Sequence, residues 1–109
     1  MGSLFYGSAH EPVILDDAVL AHVRTVVVTK LRRSETLTLS WQPHTGGPRE
    51  TVWIHGAIPL RFVLDEEQPL HRPLLVEMMD AASSPGGLDL SRIELERAVD
   101  APYPLPVSA

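Results

Sequence analysis

DDAVLAHVRTVVVTKLRR, residues 16–33, is the longest stretch of this 109-residue chain in which apolar side chains recur at helical spacing. The apolar stripe consists of Val19, Leu20, Val23, Val26, Val27 and Leu31. The opposite side carries His22, Thr25, Thr29 and Arg32. This pattern predicts a long amphipathic helix, with one face buried and the other in water, around which a small sheet is wrapped.

Both ends of the stretch favour the same interpretation. Asp16 or Asp17 can cap the first turn by accepting backbone N–H bonds. Cations suit the carbonyl end of the helix dipole, where the chain places Lys30, Arg32 and Arg33. The β-branched run at residues 25–29 loses rotamer freedom in a helix, so a buried strand is the alternative for this part.

Strand patterns lie on both sides of this helix. The predicted strands are residues 3–6, 12–15, 36–41, 51–55, 60–64 and 88–90, and a second helix is predicted over 70–84. The resulting order, ββ-α-βββ-α-β, lacks the strand and helix alternation that builds a parallel sheet. We therefore predict an α+β fold: a single domain over residues 1–97, with two helices on one face of an antiparallel sheet. A Pro-rich tail over 98–109 is expected to be poorly ordered.

Composition limits the class of protein. The length fits one domain, and the net charge of −5 gives no overall attraction to nucleic acid or anionic membranes. The chain has no cysteine, which excludes disulfides and thiolate chemistry. No apolar run approaches the roughly 20 residues that span a bilayer, and no basic segment precedes a long apolar one at the N-terminus. A cytoplasmic protein without a membrane partner is expected.

The predicted sheet leaves one face without helices. If the apolar positions of the strands face the helices, alternation places Trp53, His55, Arg61 and Val63 on the open side. Aromatic and Arg side chains are enriched where partners dock, so these four residues form the candidate interaction face. The alternative is that the tail or the loop at 42–50 covers this face and that Trp53 belongs to the core.

Lys30, Arg32 and Arg33 form the single basic cluster and are the candidate phosphate contacts of a nucleic-acid binder. Compensation of the helix dipole explains the same three residues without a ligand.

Motifs of catalysis are absent from the sequence. The five histidines show no H-x-x-x-H or H-x-H spacing, and no Gly-rich loop followed by Lys-Ser/Thr is present. The chain also lacks a G-x-S-x-G nucleophile motif. No catalytic, metal-binding or cofactor-binding residue is therefore assigned, and an enzyme with an unrecognised site ranks last among the functional classes.

Most of residues 1–91 resembles a family of small actinobacterial proteins of similar length. The residues that carry the resemblance are Leu4 with Tyr6-Gly7, Asp16-Asp17 with Leu20-Ala21-His22, Lys30-Leu31-Arg32-Arg33 with Glu35, Ser40-Trp41, Trp53-Ile54-His55 with Ile58-Pro59-Leu60, and 82–90. Members of this family are often automatically labelled ATP-dependent DNA ligase. Such ligases need a lysine in a K-x-D-G setting, whereas the one lysine of this chain, Lys30, precedes Leu31-Arg32-Arg33. The resemblance therefore implies a family and a fold without implying ligase chemistry.

We expect an uncharacterised, non-enzymatic interaction module that forms a homodimer, or binds a protein partner, through its open sheet face. A small sheet covered on one side leaves apolar surface that association would bury. The alternative is a nucleic-acid accessory protein associated with DNA ligation or repair.

Overall fold

The computed structural model describes residues 1–8, 11–43 and 46–99, with the side chain of residue 99 left out. Its strands are β1 (Gly2–Tyr6), β2 (Val13–Leu15), β3 (Leu37–Trp41), β4 (Glu50–Ile54), β5 (Leu60–Val63) and β6 (Leu88–Asp89). Its α-helices are α1 (Asp17–Arg32), α2 (Arg72–Ala82) and α3 (Glu96–Val99), and a 3-10 turn covers Leu90–Arg92. The α+β class and the order of the predicted elements are confirmed.

Within the described residues the strands form two three-stranded sheets instead of the single sheet expected. The first sheet has the order β2-β1-β5 and the second β4-β3-β6. β5 pairs with β1 through Leu4↔Phe62 and Tyr6↔Leu60, and this end of the ladder is extended by a bond from the Gly7 N–H to the Pro59 carbonyl. Alternation along one strand predicts its faces but not its partner, so the residue pattern of β5 did not reveal that it pairs with β1.

α1 lies at the centre of the fold and contacts β1, α2 and α3. Its buried residues are Ala18, Val19, Leu20, Ala21, His22, Val23, Val26, Val27 and Lys30. The run at 25–29 is helical, so the strand alternative is wrong. The hydroxyls of Thr25 and Thr29 donate to carbonyls one turn earlier, at 2.9 and 2.7 Å, so both polar groups are satisfied inside the helix.

The acidic residues at the start of α1 act differently from the prediction. Asp16 occupies the N-cap position without a capping side-chain bond to any described residue. The Asp17 carboxylate accepts the backbone N–H groups of Asp65 and Glu66, both at 3.1 Å. Asp17 therefore connects the helix to the segment that follows β5. Because this contact joins residues far apart in sequence, the residue pattern at the start of the helix does not predict it.

The placement of His22 on a solvated helix face was also wrong, because α2 packs against that side of α1. The His22 Nδ1–H donates to the Ala18 carbonyl at 2.6 Å, and Nε2 accepts the His71 backbone N–H at 2.8 Å. His71 in turn caps α2, since its Nδ1 accepts the Leu74 N–H at 3.2 Å. Each imidazole accepts a hydrogen bond from a backbone N–H group through one ring nitrogen, and that nitrogen must carry no proton of its own.

The last strand is short and runs parallel to β3, with Leu39 opposite Leu88. α3 follows and buries Ala98 in the core, so the predicted domain boundary at residue 97 falls inside this helix. The remaining tail, 100–109, lies outside the described residues.

Acidification is expected to destabilise the fold through His22. Burial lowers the pKa of His22 below its ordinary value of 6.5; the bond to the Ala18 carbonyl opposes this shift, and His71 adds to it. The unfolded chain therefore binds more protons than the folded chain as the pH falls. The contribution of His22 to the free energy of unfolding is complete above about pH 6.5 and is lost as the pH falls towards the lower pKa of the folded state. Urea unfolding of the wild type should show a falling free energy of unfolding between about pH 7.5 and 5.

His22→Gln, which cannot titrate, should flatten this pH dependence and lower the free energy of unfolding at pH 7.5 by about 1 kcal/mol. Val76→Thr is the control and should keep the wild-type slope, because Val76 is exposed on α2 and the substitution changes no titratable group. A His22→Gln curve that runs parallel to the wild type across the whole range would contradict this role.

Candidate interaction face

Trp53 lies on the outer face of the second sheet. The register pairs Trp53 with Thr38 on β3, and both residues point away from the side on which Leu37 and Ile54 are buried. The indole is 62% exposed, and its ring centroid lies 5.6 Å from that of His55 at a tilt of 46°. Among the described residues Trp53 is therefore not part of the core, while the tail named in the alternative lies outside them. We call Trp53 and His55 the Trp53 patch.

Arg61 and Val63 lie on the outer face of the first sheet. The Arg61 guanidinium carbon is 5.2 Å from the centre of the Phe5 ring, a cation–π arrangement. Val63 and Ile14 flank Ser3 from the two neighbouring strands, and both apolar side chains are exposed. We call Phe5, Ile14, Arg61 and Val63 the Arg61 patch.

The four residues of the predicted interaction face thus fall into two groups on separate sheets. Trp53 and His55 are brought together, whereas Arg61 meets Phe5. The Tyr6 hydroxyl, at the end of β1, donates a short hydrogen bond to the Trp53 backbone carbonyl and so links the first sheet to the edge strand of the second. Tyr6 carried no pattern that set it apart in the sequence.

The three candidate phosphate contacts also separate. Lys30 is only 4% exposed; its ammonium donates to the Ser83 hydroxyl at 3.1 Å and lies 3.5 Å from the Glu35 carboxylate. Arg32 and Arg33 are exposed. Lys30 therefore joins the last turn of α1 to the C-cap of α2, a position that agrees with dipole compensation and weighs against contact with a bound nucleic acid.

A polar groove of about 360 Å³ opens between the C-terminal end of α2 and the second sheet. We call it the Lys30 groove, and its walls include Lys30, Glu35, Thr38, Trp53, Ser83 and Gly87. Gly87 adopts φ +70° and packs directly against Thr38. The helix pattern predicted none of this, because the groove is formed by segments distant in sequence.

A second ionic cluster surrounds Asp89 at the other end of the second sheet. Burial raises the pKa of the Asp89 carboxyl, but the hydrogen bonds from the Ser91 side chain and backbone, together with the Arg49 guanidinium, hold it below its ordinary value of 3.8. Arg49 is joined to this carboxylate by a short ion pair, and Arg92 approaches it at 3.5 Å. This cluster anchors the chain before β4 to β6 and is consistent with a structural role.

Over 1–8, 11–43 and 46–99, no group of three or more His, Asp or Glu side chains is placed to hold a metal ion. None of the helices in these ranges is both long and apolar enough to cross a membrane.

The two sheets and the buried helix α1 define a small α+β domain with exposed aromatic and apolar side chains on the outer faces of its sheets. The chain belongs to the family described as Domain of unknown function (DUF7882), whose model matches residues 1–93. The expectation of an uncharacterised small family is confirmed. No curated protein and no solved structure matches the chain.

Gly87→Ala should disrupt the wall of the Lys30 groove. A Cβ at this position would lie 1.7 Å from the Thr38 hydroxyl oxygen and 3.0 Å from the Thr38 carbonyl, in a backbone conformation that L side chains rarely adopt. Strain and overpacking together should reduce the free energy of unfolding by about 2–4 kcal/mol, measured by urea unfolding.

Gly86→Ala is the matched control, because the nearest atom to its added Cβ is 4.0 Å away. It should change the free energy of unfolding by less than about 0.5 kcal/mol. Equal effects of the two substitutions would contradict the packing described for Gly87.

Proposed function

We propose that this protein is a non-enzymatic interaction module that self-associates as a homodimer through the outer faces of its sheets, centred on the Trp53 patch. The observation that carries the proposal is the exposed Trp53 indole on an edge strand. Large aromatic side chains are usually well buried in monomers, and Trp is the residue type most enriched at the energetic centres of interfaces. Trp41, the other tryptophan, is buried.

The surroundings of Trp53 support a docking role. The His55 ring lies beside the indole, so the two rings together offer a larger aromatic contact area to a partner. Thr38 and Thr51 lie beside it on the same outer face and can hydrogen-bond at a polar rim.

The Arg61 patch offers a second apolar area on the other sheet. Ile14 and Val63 stand in one row across three strands, with Ser3 between them. Arg61 remains above Phe5 at its edge. A two-fold interface places the same patches on both copies, so each patch needs to complement itself or its neighbour. A row of aliphatic side chains meets this requirement without opposing like charges.

Replacement of Trp53 should weaken the dimer. Trp53→Thr removes the indole and retains a residue suited to a strand, so the fold should persist. The dimer dissociation constant should rise at least about tenfold, because truncation of a central interface tryptophan typically costs about 2 kcal/mol or more. Sedimentation velocity over a wide protein concentration range measures this change.

Val76→Thr is the control, because Val76 is comparably exposed, at 53%, but lies on α2 away from both patches. It should leave the dissociation constant unchanged. A wild-type protein that sediments as a monomer at every concentration would refute the proposal, as would equal dissociation constants for the wild type and Trp53→Thr.

A nucleic-acid accessory role is the second candidate, and the exposure of Arg32 and Arg33 near the C-terminal end of α1 favours it. It ranks lower because Lys30 is buried, Arg24 is paired with Glu67, and Arg49 is paired with Asp89. The net charge of −5 also opposes binding to a polyanion.

This candidate predicts weak binding of single-stranded or double-stranded nucleic acid in a low-salt mobility-shift assay. The double substitution Arg32→Ala and Arg33→Ala should abolish the shift. Each arginine–phosphate contact releases about one counterion on binding, and this favourable contribution is lost with the contact. Arg72→Ala, an exposed arginine on α2, serves as the control. The absence of any shift with DNA or RNA would remove this candidate.

A further inference from the structure

The Lys30 groove places a charged donor beside a charged acceptor. The Lys30 ammonium and the Glu35 carboxylate lie 3.5 Å apart and both line the groove. Their formal charges cancel. Arginine and carboxylate clusters that recognise ions carry an excess of one sign, whereas this groove has both signs in equal number.

The polar side chains that line the groove keep hydrogen-bonding capacity for a ligand. An ammonium has three N–H donors; Lys30 donates one hydrogen bond to the Ser83 hydroxyl and forms an ion pair with the Glu35 carboxylate at 3.5 Å. The Ser83 oxygen accepts from Lys30, so its own O–H is left to donate to a group in the groove. Glu35 is exposed, and its carboxylate keeps acceptor sites for further donors.

Trp53 adds an aromatic surface to the same groove. The face of an indole attracts the C–H groups of a saturated ring by dispersion and by its negative π cloud. An exposed indole beside hydroxyl, ammonium and carboxylate groups is the combination that a polyhydroxylated ring can satisfy, because such a ring has an apolar C–H face and a polar rim.

We propose that the Lys30 groove binds a neutral polyhydroxylated ring of the size of one sugar unit. Each hydroxyl of such a ring both donates and accepts, so neighbouring hydroxyls match the adjacent Lys30 and Glu35. The volume of about 360 Å³ lies within the range of small-molecule sites.

The charge environment opposes an anionic ligand. Lys30 stands in the last turn of α1 and reaches Ser83, the C-cap of α2. Two helices therefore end beside the groove, and the partial negative charge of their carbonyl ends repels anions. Glu35 neutralises Lys30, so the groove has no excess positive charge to attract an anion, and a neutral ligand is the favoured occupant.

The test is a titration of the full chain with glucose, followed by tryptophan fluorescence. Trp41 is buried and gives a constant background, so a saturable change reports on Trp53. Glycerol, which has hydroxyls without a ring, and inorganic phosphate are titrated in parallel. Saturation with glucose and a flat response to the other two is the expected result. A flat response to glucose, or saturation with phosphate instead, would overturn the proposal.

Single substitutions test whether glucose binds in the Lys30 groove. Lys30→Met keeps an unbranched side chain in the buried position, and Glu35→Gln changes only the exposed acceptor; each should weaken glucose binding about tenfold. Val76→Thr is the control and should bind as the wild type does. If Lys30→Met does not fold, Glu35→Gln still decides the question, since an unchanged affinity would place the sugar elsewhere.

This inference does not rest on self-association. The titration is made at a protein concentration at which sedimentation shows only the monomer, because the proposed dimer interface would cover the same Trp53 indole. Lys30→Met and Glu35→Gln should leave the dimer dissociation constant unchanged, because Lys30 lies in the last turn of α1 and Glu35 just after it, and neither belongs to the Trp53 patch or the Arg61 patch. A protein that binds glucose but never dimerises would support the sugar site and refute self-association. A protein that dimerises but does not bind glucose would do the opposite.

Discussion

The burial of α1 is the constraint on which the rest of the structure depends. This helix contacts β1, α2 and α3, and Leu20, Val23, Val26 and Val27 are completely buried. Each such aliphatic side chain contributes about 1.5–3 kcal/mol when removed from water. The enclosure of this helix removes His22 and Lys30 from solvent, so each of these polar residues must find a partner inside the protein.

Two of these partners set the position of α2. His22 accepts the backbone N–H of His71 near the start of α2, and Lys30 donates to Ser83 at its end. The two contacts lie at opposite ends of the helix pair and hold α2 along α1. The same requirement that satisfies the buried Lys30 also creates the polar groove beside Trp53. The candidate ligand site therefore arises directly from the way in which the core accommodates a cation.

The division into two sheets explains the arrangement of the exposed surface. α1 begins next to the first sheet and α2 packs on the second, so each sheet buries one face against a helix and leaves the other outward. Tyr6 connects the sheets through the Trp53 carbonyl. The exposed aromatic and basic residues are therefore distributed over two adjacent surfaces, and a partner that contacts both must be broader than one that docks on a single sheet.

The sequence by itself determined the α+β class, the position of α1 and most strand locations, because these follow from local periodicity and turn residues. It also predicted that Trp53 points away from Leu37 and Ile54, since alternation is a property of a single strand. Only the tertiary structure decided that β5 pairs with β1, that His22 and Lys30 are buried, and that Lys30, Glu35 and Trp53 share a groove. These features depend on contacts between segments far apart in the chain, and the energy of such contacts is not encoded in the spacing of residues along any one element.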